Sequence, residues 1–300
     1  MVNSVVAAEK ALCCSLMKLA GLKAITVEIQ PGTKIRLWAP SKPPKHQKKP
    51  VVVLLHGFAA NANLTWMFQV GGLTKNYSVY VPDLLFFGGS FTDRSDRSPI
   101  FQADCLVECL GQLGIENTIV VGFSYGGMVA FKMAEKYPEF VQALVISGST
   151  VNLSDWVNDS NLSRLGFSSL QDMLLPTSVQ GLKTLFSLAM YNFSWLLRDR
   201  LYRDYLEVMF TYRKEKSELL DALAISKSER TIPDSIQIHL IWGQEDQIFK
   251  TELAENMKQK LGPRTSMVNI KKGGHLVHIE CPWAYNRQLK IFLASLEAAK

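Results

Sequence analysis

The chain has 300 residues, of which 47% are hydrophobic and 20% charged, and this is enough to bury one large core. Its formal net charge of +6 does not indicate nucleic-acid binding, because much of the excess comes from segment 41–50, whose lysines are not interleaved with aromatic residues. No apolar run reaches the roughly 20 residues that a transmembrane helix needs. These features exclude a nucleic-acid partner and a transmembrane span.

The cysteines and the N-terminal segment indicate a reducing, cytoplasmic location. The five cysteines are odd in number, and their spacing matches neither a disulfide framework nor a metal site. Two lysines interrupt the first twenty residues, which is not typical of a signal peptide. This segment predicts an amphipathic helix that packs on the protein or, as the less favoured alternative, contacts a membrane surface weakly. Its predicted apolar face carries Val5, Ala8, Leu12, Leu16 and Leu19.

Strands and helices alternate through most of the chain. Eight strands are predicted, at 25–29, 34–38, 51–55, 78–81, 118–121, 143–147, 236–242 and 267–270. Helices are predicted at 64–73, 99–113, 252–261 and 283–298. This alternation predicts an α/β fold with a mostly parallel sheet, which binds its ligand at the carboxyl ends of the strands.

One region interrupts the alternation and is predicted to be a helical cap. Its helices are expected at 153–165, 179–190, 195–210 and 214–225, with no strand among them. The predicted division is therefore a core in two parts, 1–149 and 233–300, with a cap at 150–232. Three of the large apolar residues in the cap, Phe186, Met190 and Trp195, are expected to line a substrate pocket, while others form the cap's own core.

A serine lies between a predicted strand and a predicted helix, in Gly122-Phe123-Ser124-Tyr125-Gly126. Glycines at i−2 and i+2 permit the sharp turn that lifts a serine hydroxyl out of a sheet as a nucleophile. The N–H of Tyr125 then lies at the start of the helix, where it can stabilise a negative substrate oxygen.

A nucleophilic serine needs a histidine base, which a carboxylate orients. His275 and His278 share one loop after the last strand, and His275 is favoured because two glycines precede it; His278 is expected to make structural hydrogen bonds. Asp246 and Glu245 follow a predicted strand, and the turn that begins at Gly243 favours Asp246 as the acid. Asp83, at another strand end, is a weaker candidate, with capping of the next turn as its structural interpretation.

Several motifs together resemble the α/β-hydrolase superfamily, in the branch that uses a serine nucleophile. They are Gly122–Gly126, His56–Phe58, Pro82–Leu85 with Gly88–Ser90, Trp242–Asp246, and Gly274–His275 with Glu280 and Pro282. Within the superfamily, residues 56–60 followed by Trp66 are similar to monoacylglycerol-lipase-like hydrolases with a helical cap, including plant members. Phe87-Gly88-Gly89 departs from the Gly-x-Gly of many members, which affects only the local loop.

The resemblance implies a nucleophile at Ser124, an acid at Asp246 and a base at His275. It also implies an oxyanion hole from the backbone N–H groups of Phe58 and Tyr125, with no cofactor and no metal. The expected activity is hydrolysis of a small-molecule carboxylic ester, which carries an apolar, lipid-like acyl chain. Two alternatives stay open: a hormone or small-molecule receptor with vestigial turnover, and a C–C hydrolase or lyase that uses the same three residues.

Overall fold

The computed structural model describes residues 4–42, 49–153, 156, 159–192, 199–226 and 231–298. Lys45 and Lys48 of the predicted lysine-rich loop lie outside the described residues, as does the predicted pocket residue Trp195.

Within these ranges the sheet has nine strands, one more than predicted. They are β1 (Leu22–Gln30), β2 (Thr33–Pro40), β3 (Val51–Leu55), β4 (Ser78–Pro82), β5 (Phe91–Thr92), β6 (Thr118–Phe123), β7 (Val141–Ser147), β8 (Gln237–Gly243) and β9 (Thr265–Ile270). The order is β1-β2-β4-β3-β6-β7-β8-β9, and β5 pairs with β2. The additional strand, β5, has two residues, which is too short to produce an alternating pattern in the sequence.

Strands β4, β3, β6, β7, β8 and β9 form parallel pairs in that order, whereas β2 pairs antiparallel with β1, β4 and β5. Its central strands are apolar without interruption because helices cover both faces. Alternate residues of β3 enter different cores: Val53 and Leu55 lie in one buried cluster, and Val52 and Leu54 lie in the other. The mostly parallel α/β fold that the sequence predicts is confirmed.

The helices are α1 (Ser4–Leu19), α2 (Ala62–Trp66), α3 (Val70–Leu73), α4 (Pro99–Gln112), α5 (Tyr125–Lys136), α6 (Asp159–Arg164), α7 (Leu170–Leu174), α8 (Val179–Ala189), α9 (Asp199–Met209), α10 (Arg213–Ile225), α11 (Thr251–Leu261), α12 (Val277–Glu280) and α13 (Pro282–Ala298). The single helix predicted at 64–73 is wrong, since α2 and α3 are separate. At the break, the buried Gln69 side chain donates to the backbone carbonyl of His278 over 2.8 Å, a tertiary contact that no local sequence pattern indicates.

Helix α1 packs on the protein, but the apolar face assigned to it from the sequence is wrong. Val6, Cys13 and Met17 are buried, whereas Leu12 and Leu19 are 58% and 83% exposed. Met17 joins the core that contains Trp66. Cys13 lies one helical turn before Met17, so it is buried on the same face of the helix. Among the described residues, no helix is both long and apolar enough to cross a bilayer.

Helices α6 to α10 connect β7 to β8, and we call residues 148–236 the insertion. The short helix α7 is absent from the sequence prediction. Buried insertion residues such as Trp156 and Leu182 belong to the same cluster as Met128 of α5 and Phe249 after β8. The rings of Trp156 and Phe249 are 5.0 Å apart. The insertion therefore packs directly against the loops at the carboxyl ends of the strands.

Candidate active site

Ser124 occupies the turn between β6 and α5. Its backbone has φ 51° and ψ −119°, which is an unfavourable conformation for a residue with a Cβ. The backbone around it is held by hydrogen bonds, because Ser124 N–H donates to the Ser147 carbonyl over 2.9 Å and Ser149 Oγ donates to the Ser124 carbonyl over 2.7 Å. The turn leaves Ser124 half-buried in a pocket wall.

Two glycines make this turn possible. A Cβ at Gly122 would lie 2.6 Å from the Cα of Gly127, and a Cβ at Gly126 would lie 2.5 Å from the carbonyl oxygen of Leu55. Both distances are shorter than carbon contacts allow, so larger residues would force the strand and the helix apart. The glycine pattern in the sequence thus has a steric cause.

His275 and Asp246 meet at the carboxyl edge of the sheet. His275 Nδ1 lies 2.9 Å from Asp246 Oδ2, and the two residues are 6% and 3% exposed. Asp246 Oδ1 accepts the backbone N–H groups of Ile248 and Phe249, each over 2.9 Å. These bonds fix the carboxylate, which in turn fixes the histidine ring. His275 and Ser124 line the same two pockets.

His278 has a different environment from His275, although only three positions separate them. Its ring is fully buried and lies 4.3 Å from the Phe123 ring and 5.1 Å from the Trp66 ring, measured between centroids. Neither ring nitrogen has a hydrogen-bond partner among the described residues, so the ring does not make the expected structural hydrogen bonds, although the His278 backbone carbonyl accepts one from Gln69. Burial, with the charge of His275 as a smaller cause, lowers the pKa of His278 to about 3.

The other candidate acids are placed differently. Asp83 is fully buried, and it accepts a hydrogen bond from Arg36 Nη1 over 2.8 Å and another from the Ala62 N–H over 2.9 Å. It therefore anchors the loops after β3 and β4. Glu245 is partly exposed, and its backbone N–H donates to the Gly273 carbonyl over 2.9 Å.

The loop after β3 brings backbone N–H groups close to Ser124. A Cβ at Gly57 would lie 3.3 Å from the Cβ of Ser124. Within the described ranges, the N–H groups of Phe58 and Tyr125 donate to no other residue.

Because His56 Nε2 accepts the Leu84 N–H over 2.9 Å, its Nδ1 carries the proton and donates to the Gly57 carbonyl over 2.7 Å. His56 thus shapes this loop, and burial lowers its pKa.

A cavity of about 310 Å³ opens beside Ser124, and we call it the apolar pocket. Phe186 and Met190, both predicted to line a pocket, lie in its wall. Leu185 and Met209 of the insertion also line it, as does Glu9 of α1. The contribution of α1 could not be read from the sequence, because no pattern indicates which distant helix reaches the site. A smaller space of about 30 Å³ is also lined by Ser124 and His275.

The sequence analysis assigned no role to two residues that support the site. Gly148, with φ 51°, follows β7, and a Cβ there would lie 2.8 Å from the ring of His275. Glu280 Oε2 accepts the Gly274 N–H over 2.8 Å, while its Oε1 accepts the Tyr191 N–H over 2.7 Å. Glu280 therefore joins the His275 loop to the end of α8. Two sequence signals could have indicated these residues: Gly148 directly follows a predicted strand, and Glu280 is a carboxylate near His275.

Comparison with known proteins shows what this chain is similar to. Residues 50–282 match the family model described as the alpha/beta hydrolase fold. Lipase 1 of Psychrobacter immobilis is 26% identical over 264 residues, which are 83% of this chain and 78% of that protein.

Solved structures show the same fold. A putative lipase from Acinetobacter baumannii superposes with a TM-score of 0.82 at 20% identity, covering 97% of each chain. A meta-cleavage product hydrolase from Pseudomonas fluorescens has a TM-score of 0.71 at 22% identity, covering 93% of this chain and 99% of that one. The likeness extends beyond the sheet to nearly the whole chain.

Proposed function

This chain belongs to the α/β-hydrolase family, and we propose that it hydrolyses carboxylic esters through an acyl-enzyme on Ser124. The observation that carries the proposal is the strained turn that presents Ser124 in the same pocket wall as His275, whose ring is paired with Asp246. A glycine-flanked serine with a carboxylate-oriented histidine is the arrangement that acyl transfer needs. The lipase relative supports hydrolysis as the reaction class.

The first half of the reaction forms the acyl-enzyme. With Nδ1 of His275 donating to Asp246, Nε2 is the unprotonated nitrogen of the neutral ring and serves as the base. It takes the proton of Ser124 as Oγ attacks the ester carbonyl. His275 then gives this proton to the departing alcohol, and the C–O bond breaks. Asp246 stays ionised and stabilises the imidazolium.

The second half returns the enzyme to its starting state. His275 removes a proton from water, which attacks the acyl carbon, and the proton then passes to Ser124 as the acid leaves. In both halves the carbonyl oxygen becomes negative, and the N–H groups of Phe58 and Tyr125 are the proposed donors to it. Their lack of other acceptors in the described chain supports this role, as does the position of Tyr125 at the start of α5.

The apolar pocket is the proposed site of the acyl chain. Its walls are mainly apolar and include Leu185, Phe186 and Met190 of the insertion, so residues 150–232 are proposed to act as a cap between core segments 1–149 and 233–300. Each methylene that leaves water contributes about 0.8 kcal/mol, so two methylenes change selectivity by roughly tenfold. Medium acyl chains are therefore the expected substrates.

Purified protein assayed with acyl esters of graded chain length tests this function. We expect kcat/KM to rise from acetyl to medium-length esters and then to level off when the pocket is full. Ser124→Ala should abolish turnover while circular dichroism stays unchanged. A stoichiometric burst without turnover would instead indicate a receptor, and products from C–C cleavage would indicate the other alternative.

A further inference from the structure

A separate cavity of about 240 Å³ lies beside the apolar pocket, and we call it the cationic cavity. It lies between α1, the loops after β3 and β4, and the end of α9. Ala60, Leu64 and Met209 line both spaces, so only a thin wall separates them. Glu9 and Tyr205 also belong to this wall, where the Tyr205 hydroxyl donates to the Glu9 carboxylate. Ser124 does not line the cationic cavity.

Lys216 of α10 is the buried charge in this cavity. The residue is 2% exposed, its Nζ donates to the Met209 carbonyl over 2.9 Å, and it lies 4.5 Å from the centroid of the Phe87 ring. Among the described residues no carboxylate is within ion-pair distance of Nζ. A buried ammonium without a counter-charge costs several kcal/mol. One carbonyl and one ring face offset only part of this cost.

The other charges in the lining leave the cavity positive. Lys10 adds a cation that has no ion-pair partner among the described residues. The guanidinium of Arg36 is balanced by the buried Asp83 carboxylate, and the lining itself has the single carboxylate of Glu9, which already accepts the Tyr205 hydroxyl. Arg36 donates to Asp83 through Nη1, and its guanidinium lies 5.6 Å from the centroid of the Trp38 ring; its other N–H groups make no hydrogen bond within the described part of the chain. The side chains of this cavity are therefore suited to an oxyanion.

We infer that the cationic cavity binds a compact oxyanion, namely the phosphate or carboxylate group of a small ligand. Such a group would give Lys216 the charge-assisted hydrogen bonds and the counter-charge that its surroundings lack. One water molecule has a share of about 30 Å³ in the liquid, so a cavity of about 240 Å³ accommodates a phosphate with several waters. This inference goes beyond the proposed esterase function and does not depend on Ser124.

Titration of the full chain with inorganic phosphate, at constant ionic strength and followed by calorimetry, tests the site. We expect saturable binding of one phosphate per chain. Lys216→Met should weaken it by about tenfold or more, because a charge-assisted hydrogen bond is lost. The matched control is Lys214→Met on the same helix, where the side chain is 84% exposed; its affinity should stay within about twofold. Absence of saturable binding to the wild-type chain would overturn the inference, and so would equal loss in both variants.

A second variant keeps the test decisive if Lys216→Met does not fold. Lys10→Gln removes an exposed cation of the lining and should weaken phosphate binding by a few-fold. Unchanged affinity in this variant would count against the cavity as the site. A parallel titration with octyl phosphate distinguishes the sources of the anion: tighter binding than inorganic phosphate indicates an amphiphile that extends toward the apolar pocket, and equal binding indicates a free oxyanion. Both results require weaker binding in Lys216→Met or, if that variant does not fold, in Lys10→Gln, and insensitivity overturns the assignment.

Discussion

The loops after β6, β8 and β9 and the insertion meet at one pocket, but different forces hold them. In the loops, directional hydrogen bonds position each group: Asp246 accepts two backbone N–H groups and contacts His275 within 2.9 Å. The insertion contributes Leu185, Phe186 and Met190 mainly through apolar contact. Hydrogen bonds impose fixed geometry, whereas apolar walls set volume. Changes in the loops should therefore alter the rate of chemistry, and changes in the insertion should alter substrate preference.

The largest expected effect is in the loop after β9. His275→Ala should lower kcat by about 10³- to 10⁵-fold, because base and nucleophile act as a unit. His278→Phe, which keeps an aromatic ring among Phe123, Trp66 and Tyr285, should lower kcat by less than about tenfold. Steady-state assays with a medium-chain ester measure both. A larger loss of kcat from His278→Phe than from His275→Ala would show that His275 is not the base.

The buried ring of His278 has a second consequence, for stability in acid. Its pKa is lowered from 6.5 to about 3, so between these values the unfolded chain binds a proton that the folded chain does not. Wild-type stability therefore falls as the pH falls from 6.5 toward 3. His278→Phe removes this contribution, and its loss in the free energy of unfolding between about pH 7 and about pH 4.5 should be smaller by about 2–3 kcal/mol.

Urea unfolding at the two pH values measures this difference. His239, whose pKa burial lowers to about 4, contributes equally in both proteins and cancels. An equal acid-induced loss in wild type and His278→Phe would contradict the buried, neutral state of His278.

A smaller effect, on substrate preference, is expected in the insertion. Phe186→Ala enlarges the apolar pocket, so the optimal acyl chain should lengthen by one or two methylenes and the ratio of kcat/KM between long and short esters should rise by roughly three- to tenfold. Ile225→Ala, in the same insertion but 80% exposed, is the matched control and should leave the ratio unchanged. A changed kcat with an unchanged ratio of kcat/KM between long and short esters would contradict the claim that the insertion sets substrate preference.

The smallest expected effect is at the junction of the two regions. Glu280→Gln keeps an acceptor but removes the charge that strengthens its bonds to the N–H groups of Gly274 and Tyr191. We expect kcat to fall by about two- to tenfold with little change in KM. Glu255→Gln, on an exposed position of α11, serves as the control. A change in KM alone would mean that Glu280 supports the pocket wall and not His275.

The sequence and the structure agree best where the structural cause is local. The strand, turn and helix around Ser124 could be predicted because glycine spacing and apolar runs act within a dozen residues. The residues Asp246 and His275 could be chosen because each follows a strand, and parallel strands end at one edge. Their roles, like that of Ser124, stay predictions.

The features that were missed arise from contacts between distant segments. Gly148 is constrained by His275, and Glu280 contacts the end of α8, so neither role is visible in a local pattern. The same cause explains the error in α1. Leu12 and Leu19 suggest an apolar face, but the segments that cover the helix bury Cys13 and Met17 instead.

Covalent labelling of Ser124 tests the central claim most directly. Wild-type protein would be treated with a fluorophosphonate, digested and examined by mass spectrometry, with Ser124→Ala in parallel. The strained turn and the adjacent His275–Asp246 pair predict one adduct per chain on the peptide that contains Ser124, and none in the variant. An adduct on another residue, or equal labelling of Ser124→Ala with hydrolysis retained, would contradict the assignment of Ser124 as the nucleophile.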